Sequence, residues 1–444
     1  MIVIIGGGPA GRTAALHLAL AGREVTLVEK GGIGGQCLHY GCMAVCALND
    51  VARSLDSSRK LHHLGILDSA PKVHFPKLLQ EMRLVQNKIE SILDAETRAA
   101  GVDIRYGIEG RLEADAVYIG KESVKADAVI VATGSMPRIP NINGTGLSEV
   151  YHPHTLSSMT TLPGRLAIIG GGIMAVEFAY IFHQFGSEVH LIGRSDLLKN
   201  LDPKLRATAF KELEGIHIHE HCNINAINGD DRAESVSIGE KVPTEIPCDA
   251  VFLAAGLVPR SELLHGVDIG KMGQVIVNRR MQTSRKGVYA CGDVTGSPCL
   301  TPVARREGVV AAENILGRDA VMDYDAIPQS LNLFSELAFW ERDNPNGITF
   351  SVPGPAGPGT FWSVPTGTTG LARITVDPDS GNLNAVHTAA PAAGIIAAYT
   401  AFLSKCGVQV HDLDAFLEVH PMSDGIYSLL KYASLRLNDP DFSS

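Results

Sequence analysis

A chain of 444 residues, 45% of them hydrophobic, has material for roughly two to four packed domains. Its 38 basic and 48 acidic side chains leave a net charge of −10, with no basic run to hold nucleic acid or an anionic membrane surface. No apolar run approaches a membrane span and Met1-Ile2-Val3-Ile4-Ile5 carries no basic leader, so a cytoplasmic location is expected.

Residues 2–30 read as strand, turn, helix, strand. The apolar run Ile2–Ile5 leads into Gly6-Gly7-Gly8-Pro9-Ala10-Gly11, an Ala/Leu-rich helix follows, and Glu29 closes the second strand. Gly6, Gly8 and Gly11 have the G-x-G-x-x-G spacing, which lets backbone approach a pyrophosphate at a helix N-terminus, while Glu29 can accept from both ribose hydroxyls. Immediately afterwards comes Gly34-Gly35-Gln36-Cys37-Leu38-His39-Tyr40-Gly41-Cys42, with two cysteines five residues apart. Eight cysteines scattered over this length make no disulfide framework, and in a reducing compartment a close pair is catalytic or metal-binding rather than structural. Beside a dinucleotide fold, we read it as a redox-active disulfide.

The glycine turn recurs. Ile168 to Ala175 and then Gly186 to Arg194 match residues 4–30 at a constant offset of 164 without a gap. A second dinucleotide site is therefore expected. At that offset Glu29 aligns with Gly193, so the ribose acid is missing, while Arg194 and Lys199 stand close by. A 2′-phosphate would be repelled by the acid and paired by the guanidinium, which favours NADPH over NADH. Between and beyond these folds, buried-type strands end in Gly134, Gly256 and Gly292-Asp293, the first two looking like crossovers between domains. His217, His219 and His221 alternate ahead of Cys222; a solvated strand face is the plainer reading, and no metal site is expected.

In order and together, the first glycine turn, the Cys-x4-Cys pair after Gly-Gly, Ala132-Thr133-Gly134, the second turn with Glu177, Gly292-Asp293 and His420-Pro421 carry a resemblance that spans essentially the whole chain. They resemble the FAD-dependent pyridine nucleotide–disulfide oxidoreductases, the family of dihydrolipoamide dehydrogenase, glutathione reductase and mercuric reductase. The resemblance implies an α/β fold with two Rossmann-like dinucleotide-binding domains and a C-terminal α+β dimerisation domain. The FAD-binding domain would take residues 1–140 and 258–322, interrupted by the NAD(P)-binding domain at 141–257, with the interface domain at 323–444. FAD would lie on Gly6, Gly8, Pro9, Ala10 and Gly11, on Glu29, Lys30, Gly35 and Gln36, and on Ala132, Thr133, Gly134, Gly292 and Asp293. The nicotinamide cofactor would lie on Gly170, Gly172, Ala175, Glu177, Arg194, Lys199 and Gly256.

By the same resemblance, Cys37 is the interchange thiol and Cys42 the thiol against the flavin, its thiolate favoured by the helix it opens. His420 would reach in from the partner subunit of a homodimer and move the proton. The expected activity is electron transfer between NAD(P)H, FAD, the Cys37–Cys42 disulfide and a small disulfide or dithiol.

The chain also departs from the family. Cys46 stands where a lysine pairs with the glutamate matching Glu177, so Glu177 is expected to lose its cation and either rise in pKa or lower the flavin potential. Cys46 lies one helical turn, about 6 Å, from Cys42; it is a candidate third redox thiol, or more plainly a small buried helix residue. Asp424 is the candidate acid for His420, one residue early of the family's glutamate. The end, Asn438 to Ser444, has no vicinal cysteines, which counts against mercuric reduction. Two other readings are kept: a thiol-independent reductase of a quinone, metal ion or protein, and a non-catalytic redox sensor.

Overall fold

In the computed structural model, residues 1–114, 116–240, 243–354, 359–420 and 424–438 are described. The wholly apolar run Ile2–Ile5 becomes β1, buried along its length, as a strand covered on both faces must be. Pro9 then starts α1 (Pro9–Leu20), at a position where the missing N–H costs nothing. There follow β2 (Val25–Glu29), the short α2 (Gly35–His39), α3 (Cys42–His63), α4 (Phe75–Ala99) and β3 (Asp103–Tyr106). The sheet runs Val288–Ala290, Ala128–Val131, β1, β2, β3, with every pairing parallel. Its outermost strand on one side thus arrives late in the chain, after a second sheet has been built.

That second sheet repeats the first. Arg165–Ile169, α5 (Ile173–Phe185) and Glu188–Ile192 make its core, and α6 (Pro203–Lys211) precedes the edge strand His217–His219. Ala250–Leu253 and Val150–Tyr151 complete it on the other side, again in parallel. The offset of 164 holds at the level of hydrogen bonds. Gly6 N donates to Val28 O at 2.8 Å and Gly170 N to Ile192 O at 3.0 Å; Gly34 N donates to Gly7 O at 2.9 Å and Leu198 N to Gly171 O at 2.7 Å.

Two links join the folds. Ser135–Pro137 and Leu257–Pro259 pair antiparallel as a ribbon, so the chain leaves for the second sheet and returns along neighbouring strands. Helix α3 also packs on α5, whose Phe178, Tyr180 and Phe182 are fully buried and contribute about 1.5–3 kcal/mol each by burial. Tyr180 Oη donates to Asp56 Oδ2 at 3.0 Å, and Arg59 of α3 grips the side chain and carbonyl of Gln184. This packing carries the thiol-bearing helix onto the helix that holds Glu177.

Helix α7 (Thr301–Ile315) then lies on α1, where a Cβ at Gly308 would come 2.4 Å from Ala10 O. Beyond it an antiparallel sheet runs Gln329–Asn332, Glu336–Glu341, Leu383–Ala389, Leu371–Val376, Ile348–Pro353. Helices α8 (Ala393–Lys405) and α9 (Asp424–Leu437) pack on it around Trp340, whose Nε1 donates to Thr400 Oγ1 at 2.9 Å. Helix α8 starts at Ala393 because Ala389 still pairs in the sheet. Among the described residues no helix is long and apolar enough to cross a membrane.

Candidate active site

A cavity of about 1030 Å³ opens where the first sheet reverses strand order, between β1 and Ala128–Val131. That is where open parallel sheets bind ligands, and the volume stands at the top of the roughly 300–1,000 Å³ usual for such sites. Its walls come from the first glycine turn, the α2–α3 junction, the ends of the two central strands and the first turns of α5 and α7. Gly6, Gly8, Pro9, Ala10, Glu29, Lys30, Gly35 and Gln36 line it, as do Ala132, Thr133, Gly134, Gly292 and Asp293.

The turn has no room for side chains. A Cβ at Gly6 would sit 2.2 Å from Ala132 O, and one at Gly11 would sit 2.0 Å from Gly6 O and 3.0 Å from Ala132 Cβ. Helix, turn and strand therefore close only around glycine, leaving the N-terminus of α1 bare to the cavity. Glu29 accepts from Gly7 N at 2.6 Å and Gly31 N at 2.7 Å, which aims its carboxylate at the turn. The residues present fit FAD: a bare helix start able to receive a phosphate, an acid, Glu29, able to accept from ribose hydroxyls, and a second acid, Asp293, at the far end. Gly11→Val is expected to abolish FAD retention, read as a colourless protein after gel filtration.

Asp293 accepts from Ser135 Oγ at 2.6 Å, Gln36 Nε2 reaches that hydroxyl at 3.4 Å, and His154 Nε2 meets Gln36 Oε1 at 3.0 Å. Burial pushes Asp293 up and holds His154 down at about 4, so the imidazole is neutral. The turn itself is held from behind by Glu307, buried, which accepts from Gly292 N at 2.6 Å and Tyr324 Oη at 2.7 Å.

The thiols meet at the start of α3. Cys37 lies in the middle of the short α2, Gly41 caps α3, and Cys42 is the first residue of α3. Cys37 S–H is hydrogen-bonded to Cys42, and Thr301 Oγ1 lies 3.6 Å from Cys42 Sγ. The hydrogen bond from Cys37 holds the Cys42 pKa well below the usual thiol range against the penalty of burial, with Thr301 and the backbone N–H of Cys42 adding to it. The same hydrogen bond raises Cys37, so the proton of the pair stays on the outer sulfur. Arg305, one turn into α7, is the cation that acts on Cys37.

Cys46 lines the cavity rather than packing inside a helix interface, because the face of α3 that carries Cys42 turns toward open space for one more turn. Burial, then Cys42, raises its pKa. Next to it Glu177 is 7% exposed, and among the described residues no cation forms an ion pair with it. It accepts instead from Asn332 N at 2.8 Å and Asn332 Nδ2 at 3.4 Å. Burial pushes Glu177 up to about 7, more than these hydrogen bonds lower it. Arg53, two turns beyond Cys46, holds the same segment: Nε donates to Leu333 O at 2.6 Å and Nη2 to Asn332 Oδ1 at 3.4 Å.

The second glycine turn repeats the close approach, a Cβ at Gly170 falling 2.3 Å from Ala254 O and 3.0 Å from Ala175 Cβ. Where the first fold has Glu29, a Cβ at Gly193 would meet Leu197 Cδ2 at 2.7 Å. Glu220 serves the loop there, accepting from Leu197 N and Arg206 Nη2, each at 2.6 Å. Arg194 and Lys199 are exposed, and Gly170, Gly172, Ala175, Arg194, Lys199 and Gly256 do not line the main cavity; of this set Glu177 does. His420 is exposed and away from the cavity of its own chain; Asp424 is the first residue of α9, and Pro421 lies outside the described residues.

The sequence reading missed Thr301, Arg305, Glu307, Ser135, His154, Asn332 and Arg53. Leu300-Thr301-Pro302 does carry a helix-start signal that could have placed Thr301 and Arg305. Asn332 carries none, since 155 residues separate it from Glu177.

Residues 1–308 match the family described as pyridine nucleotide-disulphide oxidoreductase. A dihydrolipoyl dehydrogenase of Acholeplasma laidlawii is 32% identical over 328 residues, 71% of this chain and 96% of that one. A mercuric reductase of Lysinibacillus sphaericus is 27% identical over 450 residues, 96% of this chain and 81% of that one. Among solved structures, the Cu(II) complex of the HOCl-induced flavoprotein disulfide reductase RclA from Escherichia coli superposes with a TM-score of 0.83 at 22% identity, covering 99% of each chain, which shows a shared fold.

Proposed function

The chain belongs to the pyridine nucleotide-disulphide oxidoreductases, flavoenzymes that use FAD and a nicotinamide, and from that premise we propose that it is an NADPH-dependent reductase of a small disulfide, acting through Cys37 and Cys42. The single observation that carries this reading is the thiol pair at the α2–α3 junction, Cys37 and Cys42 both on the wall of the cavity with Thr301 Oγ1 3.6 Å from Cys42 Sγ. In this reading residues 1–140 and 258–322 bind FAD, 141–257 bind the nicotinamide cofactor, and 323–444 form the subunit interface.

Cys37, once deprotonated, attacks one sulfur of the substrate disulfide; the substrate S–S bond breaks and the departing thiolate takes a proton. The Cys42 thiolate then attacks Cys37 Sγ, the mixed disulfide breaks, and the second substrate thiolate leaves and takes a proton from solvent. The substrate has gained two electrons and two protons, and Cys37–Cys42 remains as a disulfide. When bound, FAD supplies the relay that returns two electrons from the nicotinamide to that disulfide. Thr301 steadies Cys42 through the cycle, and Arg305 favours the anion on Cys37.

Among the described residues, the two imidazoles that line the cavity are engaged elsewhere, His154 with Gln36 Oε1 and His39 with Ile33 O. His420 of the homodimer's second copy is proposed for that role, with Asp424 to orient it. Exposed apolar residues of the last segment support such an interface, among them Trp362, Ile395, Phe402, Leu417 and Val419. Arg194 and Lys199 are proposed to hold the 2′-phosphate. Arg194→Glu is expected to lower kcat/KM for NADPH by about 10- to 100-fold, the worth of a charged hydrogen bond, and to leave NADH nearly unchanged. An equal loss with both would remove the 2′-phosphate argument.

Anaerobic titration of the yellow protein with NADPH, and in parallel NADH, tests the whole reading. A long-wavelength band after two electrons puts the Cys42 thiolate against the oxidised flavin. Plain bleaching without that band would point to the thiol-independent reductase.

A further inference from the structure

The second sheet carries a group of ligand-type side chains remote from the cavity. Along Glu188–Ile192, Glu188 and His190 project from one face, since alternate residues of a strand share a side. The edge strand His217–His219 lies parallel with His190 in register with His217, which puts His217 and His219 on that same face. Two strands distant in sequence thus deliver three imidazoles and a carboxylate to one patch.

The rings are aligned. His190 and His217 stack with centroids 4.6 Å apart and planes 17° from parallel, and His190 and His219 do so at 5.4 Å. Glu188 Oε1 lies 3.3 Å from His190 Nε2 and 3.8 Å from His217 Nε2, and the three ligand atoms all fall within 4.8 Å of one another. A tetrahedral ion with bonds of about 2.0–2.1 Å separates its donor atoms by about 3.3–3.4 Å. The His190–Glu188 spacing already matches. Glu188 and His217 are exposed, so a small side-chain rotation closes the others.

The remaining ring nitrogen of His190 has a partner of its own. His190 Nδ1 lies 3.1 Å from His219 Nε2, within the core-ward part of the patch. With Nδ1 donating to His219, the Nε2 lone pair faces the carboxylate, which is the tautomer in which His190 can ligate an ion beside Glu188. An outer partner that fixes ring and tautomer is also how metal-binding histidines are held. We propose that Glu188, His190 and His217 bind one divalent ion of the zinc class, with His219 as the outer partner and the fourth position open to water. None of these residues lines the cavity, so the site is distinct from the thiols.

The test is zinc binding by the FAD-loaded protein, its active-site thiols kept oxidised, in competition with a chromogenic chelator. One tightly bound equivalent is expected. His190→Gln combined with His217→Asn should weaken it by about 100-fold or more, and His219→Ala by about 10- to 100-fold. Glu188→Gln, at an exposed position, should cost at least about tenfold and guards against a misfolded double variant. Cobalt(II) in place of zinc should give visible bands of nitrogen and oxygen ligation. Equal zinc affinity in wild type and the variants, no stoichiometric binding, or intense thiolate-to-cobalt bands would each overturn the proposal; in those cases the patch is a hydrogen-bonded histidine row or the ion sits on cysteines.

Discussion

Cys42→Ser is expected to lower disulfide reduction by about 10³-fold or more while the protein stays folded and yellow, and to erase the long-wavelength band. A hydroxyl can take the place of the sulfur beside Thr301, but it neither ionises near neutrality nor closes a disulfide with Cys37. Cys37→Ala should lose turnover as severely yet keep the band, because Cys42 remains. Its band should titrate at higher pH, since the largest contribution holding Cys42 low is the hydrogen bond from Cys37. The sign is fixed by the thiolate: in wild type the band fades only as pH falls through the lowered Cys42 value, and without Cys37 it fades earlier. Full disulfide turnover in Cys42→Ser would end the dithiol reading.

Glu177 gives the second large effect. Its folded pKa of about 7 exceeds the ordinary 4.5, so the native state binds more protons than the unfolded chain between those values. Stability is therefore unaffected below pH 4.5, falls as pH rises toward 7, and stays reduced above it, by about 3 kcal/mol at 1.36 kcal/mol per unit. Glu177→Gln should remove this loss, so that denaturant unfolding of the FAD-loaded protein shows the variant gaining on wild type from pH 5 to pH 8. Cys46→Lys puts an ammonium on the cavity wall beside the carboxylate. An opposite charge at such range lowers a carboxyl by about 1–3 units, so this variant should also flatten the profile. It should raise the midpoint potential of bound FAD as well, because a cation favours the reduced, anionic form. A Cys46→Lys profile as steep as wild type would mean that the lysine turns away.

Much of this architecture was legible because it repeats. The match at 164 residues extends from glycine spacing to paired hydrogen bonds, as Gly34 to Gly7 and Leu198 to Gly171 show. Cys42 was legible as the opening of α3 from the glycine before it and the Ala-rich run after it. What stayed hidden depended on approach through space. Asn332 meets Glu177 only because Arg53 draws the strand end Asn332-Leu333 onto α3, and no local pattern announces that. Glu307 reads as an ordinary helix acid until α7 settles on α1 and brings it beneath Gly292. His190 escaped notice beside His217 and His219 because the parallel register, not the sequence spacing, makes them neighbours.

The ribbon of Ser135–Pro137 and Leu257–Pro259 has an architectural consequence. The outgoing and returning chains are hydrogen-bonded partners, about 4.8 Å apart, so everything between them begins and ends at practically one point. Such a segment behaves as a cassette. On the proposed reading that this segment binds the nicotinamide, the corresponding module of a relative could be spliced in at Met136 and Val258 without stretching either parallel sheet, and cofactor preference would be exchanged as a unit while the thiols and their cavity keep their host.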